Sequence, residues 1–510
     1  MTTLGVRIVI SLVAFTMLHH SDVFTQFIQQ GNKLVGTGGG GSLQGAAVSI
    51  SADGNTAIVS GYADSSFRGA AWVFTRSNGV WSQQGGKLVS NDGVGASEMG
   101  YYAAISADGN TAILGGYQDS FFVGEAAGAA WVFARSGGVW TQQGSKLVGT
   151  GASGFAKQGT AVSLSADGNT AIVGGYRDSN NIGAVWIYSR SGGVWTQQGS
   201  KLVGTGSVGL SFQGLSAALS GDGNTAIVGG PSDNAGVGAA WVFIRSGGEW
   251  TQQGNKLVAV GGANQAAEVA ISSDGNTAIL GGPRDSNNTG AAWVFTRSGG
   301  VWTQQGGKLV GKGAVGSANQ GSVSLSSDGN TAIVGGPGDS SSTGAAWVFT
   351  RRNGLWTQLG DKLVGTGAVG TAIHGVGQGI AVSISSDGNT AIVGGYFDSS
   401  ATGAAWIYTR VASNVSNLYG ESTLQFGLEQ NYPNPFNPTT TIRYTLPNRA
   451  HVLLTVFNTL GQSVATLVKE TQDPGYHDVR FDGGGLASGV YFYRLRAGDF
   501  VQTKRLVILK

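Results

Sequence analysis

Two carboxylates recur in step along the chain. One closes a Ser-x-Asp-Gly-Asn turn at Asp53, Asp108, Asp167, Asp222, Asp274, Asp328 and Asp387. The other follows eleven residues later, at Asp64, Asp119, Asp178, Asp233, Asp285, Asp339 and Asp398. Repeated loop carboxylates could hold calcium, but that ion takes about six to eight oxygens, and each turn supplies a single charge. Asx contacts that stabilise turns are therefore expected of both sets, with no metal site. Acid–base chemistry needs titratable groups that converge in one pocket. The repeats contain a single histidine, His374, and few acids outside the pattern: Asp92, Glu98, Glu125, Glu249, Glu268 and Asp361. Glu98 and Glu125 fall on loops of one face, where a carboxylate pair about 5–9.5 Å apart would suit a glycosidase. The chain has no cysteine, which removes disulfides, zinc–thiolate sites and thiol nucleophiles. There is no G-x-S-x-G, H-E-x-x-H or phosphate-binding glycine loop. The expectation is no catalytic residue, no cofactor and no enzyme activity.

The elements that hold these residues repeat as well. In the third copy, QGTAVSLS alternates like a strand and the DGN turn follows; TAIVGG then reads as a short buried strand. After the loop YRDSNNIG come GAVWIYSR, a tight SGG turn and VWTQQGSKLV. No copy has a helical period. Small residues crowd the first two strands and aromatics the last two, a gradient that suits a wedge narrowing toward an axis. Four-stranded wedges around an axis are propeller blades. A solenoid would need capping repeats, and none is found. The seventh copy lacks its fourth strand after Trp406, while FIQQGNKLV, residues 27–35, supplies one ahead of the first copy. The predicted fold is all-β: a seven-bladed β-propeller whose N-terminal strand closes the last blade, followed by a small Ig-like β-sandwich.

Around this core the domains read as a signal peptide over 1–25, the propeller over 26–410, a polar linker over 411–427 and a sandwich over 428–510. Arg7 precedes an apolar stretch, Ile8 to Leu18, too short to span a bilayer comfortably. No other segment could cross a membrane. Hydrophobic residues make up 41% and charged residues 11% of the chain, with net charge +2, which gives no reason to expect nucleic acid. The QGTAVSLS, TAIVGG, GAAWVFTR and VWTQQGSKL pattern resembles FG-GAP or integrin-α-like propeller repeats of bacterial surface proteins. It departs from them in carrying Gln-Gly for Phe-Gly (Gln158-Gly159) and GGP or GGY for GAP (Gly281 to Pro283, Gly174 to Tyr176). NYPNPFNP, the run Leu486 to Phe492 and the lysine-ending last strand resemble the C-terminal sorting domain of type IX secretion substrates. That resemblance implies the type IX machinery as a partner, export through the outer membrane, and a secreted or cell-surface location.

Antiparallel order puts the DGN and SGG turns on one face, where they repeat nearly unchanged. The loops of the opposite face differ, and exposed aromatics beside isolated charges could anchor a ligand there. The residues singled out are Phe67, Arg68, Tyr101, Tyr102, Phe121, Phe122, Phe155 and His374. The expected role is non-catalytic binding or adhesion through a surface protein or a glycan. The alternative is a carbohydrate-active enzyme with an acidic pocket at the mouth of the central channel.

Overall fold

Short alternating runs separated by glycine turns bury their apolar faces only by pairing with one another. In the computed structural model they pair as antiparallel sheets throughout. The structure describes residues 24–120, 127–370, 375–413, 426–431, 433–473 and 475–509. They divide into two compact units, one over Thr25–Val411 and one containing Ala412–Lys510. Residues 1–23, which carry the signal expectation, and most of the linker lie outside the described residues.

The first unit holds seven four-stranded sheets. In the third, Gln158–Leu164, Thr170–Gly175, Ala184–Ser191 and Val194–Gln197 lie side by side in chain order. The second strand is buried at every residue, because neighbouring sheets cover both of its faces. First strands touch in a cycle: Ala47–Ile50 meets Tyr102–Ile105 on one side and Ala381–Ile384 on the other. The backbone is close-packed where the first strand starts in the third sheet. Gly159 sits at φ +85°, and a Cβ there would stand 2.2 Å from the Ala129 carbonyl oxygen.

The cycle closes with the first described strand, Phe24–Gln29. The seventh sheet runs Phe24–Gln29, Ala404–Ser413, Thr390–Gly395, Ala381–Ile384. Leu34 N donates to Ala405 O at 2.7 Å and Gln30 N to Ile407 O at 2.8 Å, while Phe27 and Leu34 are buried.

A side-chain staple joins consecutive sheets. Gln143, at the end of the second sheet, accepts from Arg190 Nη1 at 3.1 Å and from Trp195 Nε1 at 3.0 Å. The Arg190 guanidinium lies 5.3 Å from the Trp195 ring centre, and its Nε donates to Asn169 of the DGN turn at 3.0 Å. The arginine takes the neutral Asn and the outer Trp. Trp186 is wholly buried, opposite Val173, with Nε1 donating to Thr150 O at 2.8 Å. At the closing seam Leu359 replaces the glutamine and Phe27 the tryptophan, and the two pack in one apolar cluster. The exchange is chemically consistent, since Phe has no N–H to offer a glutamine carbonyl.

The two sets of aspartates separate here. Asp167 accepts from Asn169 N at 2.9 Å and from Ser165 Oγ at 2.5 Å, an Asx turn as expected. The second set does something else. Asp178 is fully buried, pairs with Lys201 Nζ at 2.5 Å and accepts from Ser153 N at 2.7 Å. The same Lys–Asp pair recurs in all seven copies, so these acids are buried ion pairs that pin the fourth strand to the loop. Asp92, outside the pattern, is also structural: it accepts from Trp131 Nε1 at 2.8 Å and Lys146 N at 2.8 Å.

The second unit has a three-stranded sheet (Gly427–Leu428, Thr439–Leu446, Gly475–Asp482) and a four-stranded one (Ser463–Gln472, Ala450–Phe457, Gly489–Ala497, Phe500–Ile508). Their alternating apolar residues share one core, including Ile442, Tyr444, Leu454, Val456, Tyr493 and Leu506. The NYPNPFNP segment is built into it. Phe436 is buried, and Asn431 donates to Thr440 Oγ1 at 2.9 Å and Pro433 O at 3.1 Å.

Candidate functional site

The first strand begins, and the second ends, at the end of the axial channel away from the DGN turns. Three positions of every copy gather there. The residue after the second-strand glycines is Tyr62, Tyr117, Tyr176, Pro231, Pro283, Pro337 and Tyr396 in copies one to seven. In cyclic order these form an arc of four tyrosines, copies seven, one, two and three, facing an arc of three prolines. The residue before the first-strand Gln-Gly, or its counterpart, is Leu43, Glu98, Lys157, Phe212, Asn264, Asn319 and Gly377, each with positive φ. That conformation disfavours most side chains, so the variety there is not dictated by the turn. The third position is small or aliphatic in most copies, but in the second copy it is Tyr101.

Tyr101 stands at the centre of the mouth. Its ring centre lies 4.7 Å from Tyr117, 5.1 Å from Tyr62 and 5.4 Å from Tyr102. It borders two hollows. One, of about 360 Å³, is lined by Tyr62, Tyr396, Pro283, Asn319 and Glu268 among others. The other, of about 430 Å³, is lined by Tyr117, Tyr176, Phe212, Pro231 and Arg284 among others. Tyr102 and Glu268 also line a narrower cavity of about 140 Å³ along the channel, between Ala47, Ala161, Ser216 and Ala381. Hollows of this size suit a small ligand rather than a flat protein interface.

Charge enters the mouth sparsely. Glu268 occupies a first-strand position held elsewhere by Ala47, Tyr102, Ala161, Ser216, Ser322 and Ala381. It accepts from Ser322 Oγ at 3.2 Å and from Val323 N at 3.3 Å. Burial pushes its carboxyl up to about 7, and those two hydrogen bonds offset only part of the rise. Burial also raises the Glu98 carboxyl, against a hydrogen bond from Tyr117. The Lys157 ammonium donates to Gln118 Oε1, lies 5.1 Å from the Tyr117 ring centre, and is pulled down by burial and then by Arg177. Burial, with Tyr101 beside it, lifts the Tyr62 phenol to about 12, so that phenol is a neutral donor at physiological pH.

Glu268 has a stability consequence of fixed sign. Its folded pKa is raised, so the folded state holds the proton more tightly than the unfolded one between the ordinary carboxyl value of 4.5 and about 7. Stability from this group is complete below that window and is lost as pH rises through it. Glu268→Gln removes the loss. We expect the variant to match the parent near pH 4 and to exceed it at pH 8 by about 1–3 kcal/mol, read as Tm across pH.

The residues singled out from sequence fall in different places. Tyr101 and Tyr102 are in the mouth. Phe67 is 48% exposed at the rim, 6.5 Å from Tyr62. Arg68 lines a separate groove with Lys87, Asn91 and Ser97, and Phe155 is 56% exposed and lines neither hollow of the mouth. Phe121, Phe122, His374 and Glu125 lie outside the described residues. Sequence reasoning missed Tyr62, Tyr117, Tyr176, Tyr396 and Lys157. The signal was present in the exchange of Tyr for Pro after the paired glycines.

The second unit matches a known family. Residues 430–509 fit the model of the secretion system C-terminal sorting domain, the tail of type IX secretion substrates. The chain is exported. Its location is secreted or at the cell surface, and the secretion machinery is a partner through this tail. Among the described residues no helix is long and apolar enough to cross a membrane. No curated protein sequence matches the chain. Several solved structures resemble it at low identity. The periplasmic gluconolactonase of Pseudomonas aeruginosa has 16% identity and TM-score 0.45, over 83% of this chain and 98% of that one. Hydrazine synthase of Kuenenia stuttgartiensis has 14% identity and TM-score 0.47, over 75% and 98%. The GH74 xyloglucanase of Xanthomonas campestris has 14% identity and TM-score 0.43, over 82% and 59%. The expectation that the chain is not an enzyme is corrected by this set, whose members bear the names of enzymes. Repetition of the loop acids was a poor reason to exclude catalysis, because the mouth is not repetitive.

Proposed function

We propose that the chain is an exported seven-bladed β-propeller of FG-GAP-like repeats that binds a glycan in the tyrosine-lined mouth of its axial channel. The observation that carries this reading is the arc of Tyr396, Tyr62, Tyr117 and Tyr176 around Tyr101, set against three prolines. At this repeat position the residue changes on one side of the cycle only, and to one residue type. Tyrosine offers an apolar ring for the C–H face of a sugar and a phenol for its hydroxyls, with few rotatable bonds to immobilise. The Ig-like sandwich, domain boundaries at 26–410 and 428–510, and the signal over 1–25 belong to the same reading. Capture of a sugar at the mouth is the first step for a receptor and for an enzyme alike.

The experiment is a glycan screen of the purified chain, followed by titration of the best ligand against Tyr101→Ser and Tyr62→Ser/Tyr396→Ser. Loss of about 1–3 kcal/mol of binding, with Tm held within a few degrees, is expected. Unchanged affinity in both variants would place the site elsewhere.

A further inference from the structure

The mouth narrows onto one carboxylate. Six of the seven first-strand residues at that depth are Ala, Ser or Tyr, and Glu268 is the seventh. It borders both the outer hollow with Tyr62, Tyr101 and Tyr396 and the narrower cavity along the channel. Structural duty does not account for it. The six other copies build the same strand with an uncharged residue there, and its two hydrogen bonds, 3.2 and 3.3 Å long, come from the next sheet alone. Glu268 is half-buried, and a carboxyl so placed either keeps its proton or gains by having a cation beside it. No Lys or Arg ion pair reaches Glu268 among the described residues, although all seven loop aspartates have one. Aromatic faces ahead of it attract cations through their quadrupoles, and the carboxylate beyond completes the attraction. An uncharged sugar would leave that carboxylate without a counter-ion. Arg284 lines the other hollow, and Lys157 and Arg177 stand beside its Tyr117 and Tyr176, whereas among the described residues no Lys or Arg lines the hollow that holds Glu268.

Resting on the glycan reading above, we infer that the ligand is a saccharide carrying a free primary ammonium, which passes the tyrosines and pairs with Glu268. The site then selects amino sugars over their N-acetylated forms. Acylation removes the charge and adds bulk where the channel is narrowest.

Calorimetric titration of the full chain with a β-1,4-linked glucosamine tetramer and with its fully N-acetylated counterpart tests this. The free amine should bind at least about tenfold more tightly. Glu268→Gln keeps the size of the side chain and removes its charge, so it should erase the difference by weakening the free amine about tenfold. Equal or tighter binding of the N-acetylated tetramer, or a preference that survives Glu268→Gln, would overturn the inference. If neutral glycans alone bind, and Tyr101→Ser abolishes that binding, the amino-sugar inference fails and the glycan reading stands. Absence of binding by any saccharide would remove both.

Discussion

Removing residues 24–35 should lower the melting temperature of the chain by about 10 °C or more, or prevent its folding. These residues supply the outer strand of the seventh sheet, and their loss bares the edge of Ala404–Ser413. Phe27 and Leu34 are buried in two different clusters, Phe27 against Leu359 and Leu34 against Ala405 and Trp72. Burial of each is worth about 1.5–3 kcal/mol before the backbone pairing is counted. Phe27→Ala is the milder test, with an expected loss of about 3 kcal/mol by chemical denaturation. A truncated chain that melts with the parent would mean that the seventh sheet is not closed by the N-terminal strand.

How much of this was legible in the sequence depends on whether a property repeats. The strands, the DGN turns and the displaced fourth strand are local signals multiplied seven times, and the sheets follow them strand for strand. What repetition hid was chemistry between copies. The Gln143–Arg190–Trp195 staple joins residues from neighbouring sheets, and the Asp178–Lys201 pair joins a loop to a strand end. Asp178 read as a turn residue because its turn was visible and its lysine partner was not. The mouth was half legible. Tyr101 and Tyr102 stood out as aromatics beside isolated charges on the variable loops. Tyr62, Tyr117, Tyr176 and Tyr396 passed as one form of a repeat position, since their shared arc exists only once the sheets form a cycle. Glu268 stood outside the pattern, but nothing in its neighbours marked it as facing the channel.

Removing residues 430–510 should abolish delivery to the cell surface in the native host, with the chain retained in the periplasm and its melting transition preserved. The matched sorting domain covers nearly all of that segment. Its core of Ile442, Leu454, Tyr493 and Leu506 is internal to the second unit. The measurement is cell fractionation combined with protease shaving of intact cells. Expected is a fall in the surface fraction from most of the protein to background. Surface delivery of the shortened chain at parental level would assign export to another segment.

A crystal structure of the chain soaked with the best ligand of the glycan screen examines the mouth most directly. The account predicts sugar density against Tyr62, Tyr101 and Tyr396, with a ring face on at least one phenol ring and its polar tip toward Glu268. Density confined to the opposite face, among the DGN turns and the Arg190–Trp195 staples, would contradict it.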